Sequence, residues 1–359
     1  MPQKRVAVAM SGGVDSSLAA ALLHAEGYQV IGITQQIWPS DKKTPEEKKF
    51  NGCCGLDAIE SARRVAHKLG IPHYVMNFRD IFAQKVITDF HQEYRRGRTP
   101  NPCITCNQHV RFGSLLDKVS QLGIDSLATG HYARIKNSPN GYRLLKALDQ
   151  TKDQSYFLYT LGQNKLRHLL FPLGNLHKTA VRRRAVELGL PSANREESQD
   201  ICFVPDNDYR SFIVQYIPTE SGDIIDTDGQ VLGKHSGLAG YTVGQRHGLG
   251  ITANEPRYVL KLGAAGNRVV VGNKDQLLNN KLLASKLSWV SGAPPPPTEL
   301  INIKAKIRYR APEAAVKLSI SDGVAEIQFY QPQRAIAPGQ AIVLYQGNTV
   351  LGGGIIEDS

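Results

Sequence analysis

Two features of this chain can do chemistry: a glycine-rich turn near the start and three scattered cysteines. The turn reads Ala9-Met10-Ser11-Gly12-Gly13-Val14-Asp15-Ser16-Ser17 and leads into Leu18-Ala-Ala-Ala-Leu-Leu23. Its two glycines let the backbone turn N–H groups inward, its serine hydroxyls add donors, and the helix that follows adds the positive end of its dipole. Such a turn is an anion cradle. No G-x-x-x-x-G-K-[ST] or G-x-G-x-x-G occurs at this position, which disfavours γ-phosphoryl transfer of the Walker kind and a dinucleotide turn. Asp15 inside the cradle repels phosphate unless a cation lies between them, which points to Mg²⁺.

Cys103 and Cys106 stand in Arg98-Thr-Pro-Asn101-Pro102-Cys103-Ile-Thr-Cys106-Asn107, with Arg95 and Arg96 just upstream. Neighbouring cations favour thiolate, the reactive form. Cys202 comes later, in Glu197-Ser-Gln-Asp200-Ile-Cys202-Phe-Val-Pro205, and Cys53-Cys54 follow a polar stretch, Asp41 to Lys49, that reads as a mobile loop. Three chemistries fit these types. A structural zinc would take Cys103, Cys106, His109 and Cys202, although a second C-x-x-C is missing. An iron-sulfur cluster would take Cys103, Cys106 and Cys202 and leave one iron site open. Thiol exchange, the favoured reading, has one cysteine carry sulfane sulfur and another resolve it.

The elements that must hold these residues are read from periodicity. Up to about residue 205, short apolar runs alternate with helix-length amphipathic segments, the pattern of a parallel sheet with crossover helices. Strands are expected at Arg5 to Met10, Gln29 to Ile33, His73 to Asn77 and Ser126 to Gly130. Helices are expected at Ser16 to Glu26, Ala58 to Leu69, Ile81 to Arg96, Leu115 to Leu122 and Lys178 to Leu188. Beyond Asp206 the chain turns to β-branched runs punctuated by glycine: Asp223 to Asp226, Arg268 to Val271, Ile301 to Arg308, Ala325 to Tyr330 and Ala341 to Tyr345. The fold class is therefore α/β, a parallel-sheet domain over 1–205 followed by two small β-rich domains, 206–278 and 279–359, the last a β-barrel. Asn279-Asn280 breaks the pattern at the second boundary, and the prolines at 294–297 read as a loop or a linker.

Composition narrows the partners. The 359 residues carry 43 Lys and Arg against 32 Asp and Glu, a formal charge of +11, and the pI is near 9.4. A polyanion is the implied partner, with nucleic acid ahead of a membrane surface. Residues 1–205 hold 28 Lys and Arg against 18 Asp and Glu, while the rest hold 15 against 14, so the polyanion should meet the α/β half. Mean hydropathy is −0.28, and no stretch approaches the roughly 18 apolar residues of a spanning helix, which excludes a helical membrane protein. The first residues run straight into a strand without a signal-peptide core, so a cytoplasmic location is expected. Five cysteines, an odd number, are not a secreted disulfide framework.

Ser11-Gly-Gly-Val-Asp-Ser16 resembles the signature of the PP-loop ATP pyrophosphatases, whose domain is of the adenine nucleotide alpha hydrolase type. That resemblance implies ATP, Mg²⁺, cleavage between the α and β phosphates, and an adenylated substrate. Ala128-Thr-Gly-His-Tyr-Ala133 fits as the strand end that approaches adenosine. Further ordered matches extend along the chain: Gly52-Cys-Cys-Gly-Leu-Asp57, Gly97-Arg-Thr-Pro-Asn-Pro102, Cys106-Asn107, Lys152-Asp-Gln-Ser-Tyr-Phe157, Ile201-Cys-Phe203, Gly240-Tyr-Thr-Val-Gly-Gln-Arg-His-Gly248 and Ile307-Arg-Tyr-Arg310. With these the whole chain resembles the bacterial-type tRNA-specific 2-thiouridylases.

The resemblance implies ATP-dependent replacement of the C2 oxygen of the wobble uridine by sulfur, in tRNAs for Lys, Glu and Gln. It makes Cys106 the nucleophile and Cys202 the persulfide carrier, with a disulfide between them in the cycle. ATP would lie on Ala9, Met10, Ser11, Gly12, Gly13, Val14, Asp15, Ser16, Gln35 and Gly130. The target base would lie at Asn101, Pro102 and Cys103, and tRNA on Lys152, Asp153, Gln154, Arg308 and Tyr309. Implied partners are the tRNA anticodon stem-loop and a persulfide-donating sulfur carrier or cysteine desulfurase, with no membrane. Cys103 departs from the family's frequent Asp, and Glu197-Ser-Gln-Asp200 departs from its Lys-Asp-Ser-Thr-Gly.

Residue by residue, Tyr156 and Phe157 are candidates to stack on a flipped base. Arg308 and Arg310, alternating on an expected strand, are candidates for phosphate contact. Two other functions remain: a PP-loop adenylating or amidating synthetase acting on a small molecule, and a non-catalytic RNA-binding zinc protein.

Overall fold

The computed structural model describes residues 3–37, 55–196, 201–204, 212–213 and 220–358. Cys53, Cys54, the Asp41 to Lys49 stretch and the Glu197 to Asp200 departure lie outside the described residues.

The first body is a parallel sheet of β1 (Arg5–Ala9), β2 (Gln29–Gln36), β3 (His73–Asn77), β4 (Ser126–Thr129) and a short strand at Leu169–Leu170, in the order β3-β2-β1-β4 and then that strand. Alternate residues of β1 enter two cores: Val6 and Val8 pack with α1 (Val14–Ala25), α2 (Leu56–Leu69) and the Lys178–Glu187 helix, while Ala7 packs to the other side. A strand buried on both faces reads as a continuous apolar run, as Val-Ala-Val-Ala does here. α2 ends at Gly70, which takes the left-handed conformation with φ 66°.

The other face is covered by two helices that each contain a π turn. α3 spans 79–95 around the π turn Ala83–Ile87, and α4 spans 102–121 around the π turn Asn107–Leu115. α4 begins earlier than periodicity placed it. Asn101 caps it by accepting from the Ile104 N–H, and Pro102 occupies the first turn, where its missing N–H costs nothing. Cys103 and Cys106 therefore sit in the opening turn of a helix.

Two β bodies follow. With a hairpin of β5 (Ala133–Ser138) and β6 (Gly141–Lys146) and the short strand β7 (Leu169–Leu170) preceding it in the chain, the central sheet joins β8 (Gly222–Ile225), β9 (Val231–His235), β10 (Tyr258–Gly263) and β11 (Arg268–Gly272). The last body is a six-stranded barrel of β12 (Leu278–Trp289), β13 (Ile303–Lys306), β14 (Ala314–Ser321), β15 (Val324–Arg334), β16 (Ala341–Gln346) and β17 (Thr349–Asp358), closed where β17 pairs back onto β12. The Asn279-Asn280 break is a bulge inside β12, and the prolines at 294–297 lie in the loop between β12 and β13.

A hairpin from the first 205 residues, β5 (Ala133–Ser138) and β6 (Gly141–Lys146), extends the barrel sheet through Leu145 opposite Thr349. β16 explains its uninterrupted apolar sequence. Ile342 and Leu344 face the barrel interior, while Ala341, Val343 and Tyr345 belong to the same core as α3 and α4. The parallel sheet and the barrel thus share one continuous apolar core.

Candidate functional site

Strand order reverses beside β1, whose neighbours β2 and β4 lie on opposite sides, and in open α/β sheets the crevice at the carboxyl ends of such strands is the ligand site. The cradle leaves the end of β1 there. Gly12 has φ 72°, and a Cβ on it would lie 2.3 Å from the Ala58 carbonyl oxygen, so only glycine lets the turn lie against α2. The Gly12 carbonyl accepts from Ser61 Oγ at 2.8 Å, which ties the turn to α2. Gly13, the residue before α1, makes no side-chain cap bond, so the helix's first-turn donors are left for a ligand.

A cavity of about 1470 Å³ opens from this cradle to the barrel. Ala9, Met10, Ser11, Gly13, Val14, Asp15, Ser16, Gln35 and Gly130 line it around the cradle, Asn101, Pro102 and Cys103 from the start of α4, Lys152, Asp153 and Gln154 from a loop hydrogen-bonded to Tyr132, and Arg308 and Tyr309 from the barrel. Gly12 braces the cradle from behind. Cys106 and Cys202 do not line the cavity; both are half-buried thiols packed against the apolar core shared with the barrel. Their neighbours in sequence, Cys103 on one side and Ile201 and Val204 on the other, do line it. Phe203 anchors the Cys202 segment edge-on against Phe82 and Phe90, with centroids 5.6 and 5.3 Å away.

Several expectations change on contact with the geometry. Asp15 already has a cation: Lys178 Nζ lies 2.7 Å from both carboxylate oxygens, and Tyr132 Oη donates to Oδ1 at 2.7 Å. Sequence reasoning missed Lys178, which lies 163 positions away and carries no local signal. Its backbone N–H donates to Asp149 Oδ2, and that bond, with donors from Thr151, holds the Asp149 carboxyl below the usual range.

Asp153 is buried and turned inward, accepting from the Ala147 and Ser155 N–H groups and from Ser155 Oγ, so its carboxylate builds the loop that presents Lys152. Tyr156 is a core residue whose hydroxyl donates to the Ala341 carbonyl, and it does not present a stacking face. Phe157 does line the cavity and packs against Tyr309 at 4.4 Å between centroids. Arg308 and Arg310 do not alternate on a strand: β13 ends at Lys306, and both arginines lie in the turn that follows, where they reach the cavity.

Among the described residues no group of three His, Cys, Asp or Glu side chains is placed to hold a metal. Cys103, Cys106, His109 and Cys202 therefore do not form the zinc cage, nor the three cysteines a cluster site, in this conformation. His131 faces the cavity beside Thr129; desolvation, then Arg111, pushes its pKa down to about 3, so its ring is neutral. Gln35 lines the cavity, is 7% exposed, and its buried Nε2 lacks a partner among the described residues.

Residues 4–206 match the family described as the tRNA methyl transferase HUP domain. The tRNA-specific 2-thiouridylase MnmA of Acetivibrio thermocellus is 50% identical over 364 residues, covering 99% of this chain and 100% of the relative. The chain belongs to the tRNA-specific 2-thiouridylase family. Family members of the same description from Geotalea uraniireducens and Halothermothrix orenii are 51% and 47% identical, each across 99% of this chain and across 95% and 99% of their own lengths. The family's other two segments match as well, a PRC-barrel domain at 210–273 and an aminomethyltransferase β-barrel domain at 279–356. The second of these coincides with the closed barrel whose loop supplies Arg308 and Tyr309 to the cavity. Among the described residues no helix is long and apolar enough to cross a membrane.

Proposed function

We propose that this chain is an ATP-dependent tRNA sulfurtransferase that replaces the C2 oxygen of the wobble uridine by sulfur in tRNAs for Lys, Glu and Gln. One observation carries the reading: the anion cradle, the Asn101 to Cys103 helix start and the basic barrel loop line a single cavity. Nucleotide, base and RNA backbone each have a wall of it.

The cradle fits a nucleoside triphosphate. First-turn N–H groups of α1 and the Ser11 and Ser16 hydroxyls meet phosphate oxygens, Gln35 supplies its unused buried donor to the adenine side, and Gly130 lets β4 close on the loop. Mg²⁺ would neutralise the polyphosphate, with Asp15 as the adjacent carboxylate. Cleavage between the α and β phosphates puts AMP on the uracil O2, turning a poor leaving oxygen into a good one. The base leaves its stack to enter the cavity at a cost of a few kcal/mol, less in a single-stranded loop. Phe157 and Tyr309 line its route, and Lys152, Arg308 and Arg310 meet backbone phosphates.

Cys202 carries the persulfide, loaded by a sulfur carrier or a cysteine desulfurase. The Cys106 thiolate attacks Cys202 Sγ, forming a disulfide and freeing sulfide, which adds at C2 and expels AMP. A dithiol reductant then resets the pair. Both thiols must turn from the apolar core toward the cavity for this step. The first 205 residues hold nucleotide and base, and the bodies beyond about 206 and 279 complete the RNA surface.

Nucleoside mass analysis of unmodified tRNA, incubated with the protein, ATP, Mg²⁺ and a persulfide donor, tests the reading. Gain of sulfur at the wobble uridine, lost in Cys202→Ser, is the expected result. ATP/pyrophosphate exchange with a small acid and without RNA would favour a synthetase instead.

A further inference from the structure

We propose that Arg195 is a catalytic residue of the adenylation step, taking the charge of the departing pyrophosphate as a Walker lysine takes γ-phosphate charge in other nucleotide enzymes. The inference rests on the ATP reading above and adds to it a residue outside every motif in the sequence. In this step uracil O2 bonds to the α phosphorus, the bond from that phosphorus to the bridging oxygen breaks, its electron pair leaves with pyrophosphate, and the N3 proton passes to water. Negative charge therefore grows on the bridging oxygen, and fixed cations at that point stabilise the transition state more than the ground state.

Two of the cations that line the cavity hydrogen-bond to the cradle, Lys178 at Asp15 and Arg195 at the Gly12 carbonyl. Lys178 is committed: both oxygens of Asp15 lie at 2.7 Å from its Nζ, and its side chain is only 10% exposed. Arg195 is placed differently. Its Nη1 donates to the Asp57 carbonyl at 3.1 Å and the Gly12 carbonyl at 3.5 Å, so it is seated on the start of α2 and on the cradle itself. Carbonyls orient a guanidinium without cancelling its charge, and no carboxylate is paired with Arg195 among the described residues. Nη2 and Nε remain for a ligand, and a planar fork suits two phosphate oxygens at once.

The seat is rigid. Gly12 lies against the Ala58 carbonyl and its own carbonyl is held by Ser61, so cradle and α2 move together and Arg195 is braced on both. The Arg195 carbonyl in turn accepts from Arg182 Nη1 at 3.4 Å. The remaining cavity cations, Arg111, Lys152, Lys306, Arg308 and Arg310, stand on α4, the 152–154 loop and the barrel. Arg195 thus has both the position, on the cradle, and a charge without a carboxylate partner among the described residues with which to meet pyrophosphate.

The test uses the full chain with Arg195→Ala, Arg195→Gln and Arg195→Lys. Inorganic pyrophosphate and AMP are titrated separately by calorimetry in Mg²⁺, and pyrophosphate release from ATP is followed in a single turnover with unmodified tRNA. Arg195→Ala and Arg195→Gln should weaken pyrophosphate binding about tenfold, leave AMP and tRNA affinity unchanged, and slow release on the order of 100-fold. Arg195→Lys should fall between, since charge remains and the fork is lost. Low-millimolar guanidinium should restore part of the rate of Arg195→Ala, which a merely structural role would not allow. Release within twofold of the parent, or parallel loss of pyrophosphate and AMP affinity without guanidinium rescue, would overturn the assignment. If the parent chain itself neither binds pyrophosphate nor releases it from ATP, the ATP reading fails and the role of Arg195 falls with it.

Discussion

Gly130 is the position where a single methyl group most directly probes the crevice. A Cβ built there lies 2.7 Å from both the Asp15 carbonyl carbon and the Ser16 nitrogen and 3.0 Å from the Asp15 Cβ. Two of these neighbours are backbone atoms in the first turn of α1, which cannot swing aside as a side chain would. Restoring ordinary contact, which begins at 3.4 Å, requires β4 and α1 to separate by about 0.7 Å, and overpacking of this kind costs about 1–3 kcal/mol. Those two elements are the lips of the proposed ATP crevice. Since a displacement near 1 Å can cost about 100-fold in rate, Gly130→Ala should slow pyrophosphate release by about 10- to 100-fold. Melting should fall by a few degrees, as about 1–2 kcal/mol does for a protein of this size. Affinity for tRNA should hold, because Arg308 and Tyr309 stand on the barrel rather than on β4 or α1. The assay is tRNA-dependent pyrophosphate release beside a filter-binding isotherm and a melt. A Gly130→Ala protein with the parent rate and melting temperature would refute the reasoning that β4 and the cradle are packed without slack.

Three further outcomes follow from the same geometry. His131 has a folded pKa of about 3 against 6.5 unfolded, so the unfolded chain binds the extra proton between those values; its contribution is complete above about pH 6.5 and is lost as pH falls toward 3. Denaturant titrations should show His131→Gln flattening that acid slope by up to about 1.4 kcal/mol per pH unit, and an unchanged slope would reject it. Lys152→Ala should weaken tRNA binding and shallow its log affinity against log salt plot by about 0.7–0.9, one phosphate contact, with an unchanged slope counting against that contact. Asp153→Ala strands three buried donors around Ala147 and Ser155, so melting curves should report a loss of about 1–3 kcal/mol, and parent stability would show that the loop does not depend on the carboxylate.

The most legible part of the molecule was the most local one. Arg5 to Met10, the glycine turn and the helix after it are neighbours along the chain, and the cradle's donors come from consecutive backbone groups, so its anion-binding character follows from residue types and their order alone. His73–Asn77 and the helix stop at Gly70 are legible for the same reason, since strand alternation and a left-handed glycine are properties of a few adjacent residues. α4 starts earlier than apolar periodicity implies because Asn101-Pro102, which also belongs to a cysteine motif, is a cap followed by proline and so a helix start.

What the order of residues could not contain was distance in space. The three chemistries open to Cys103, Cys106 and Cys202 differ only in where the sulfur atoms stand, and the fold separates a cavity-lining Cys103 from two thiols packed on the core. Asp15 and Lys178 meet across 163 positions, and Arg98 and Glu357 meet across 259, the latter tying the segment before Asn101 to the last strand of the barrel. Each element has a face that it cannot bury alone, and the packing that buries it brings remote side chains together. Local hydrogen-bonding preference settled the cradle, strands and helices within the chain's own text. Long-range burial of apolar faces decided which of their ends share one cavity.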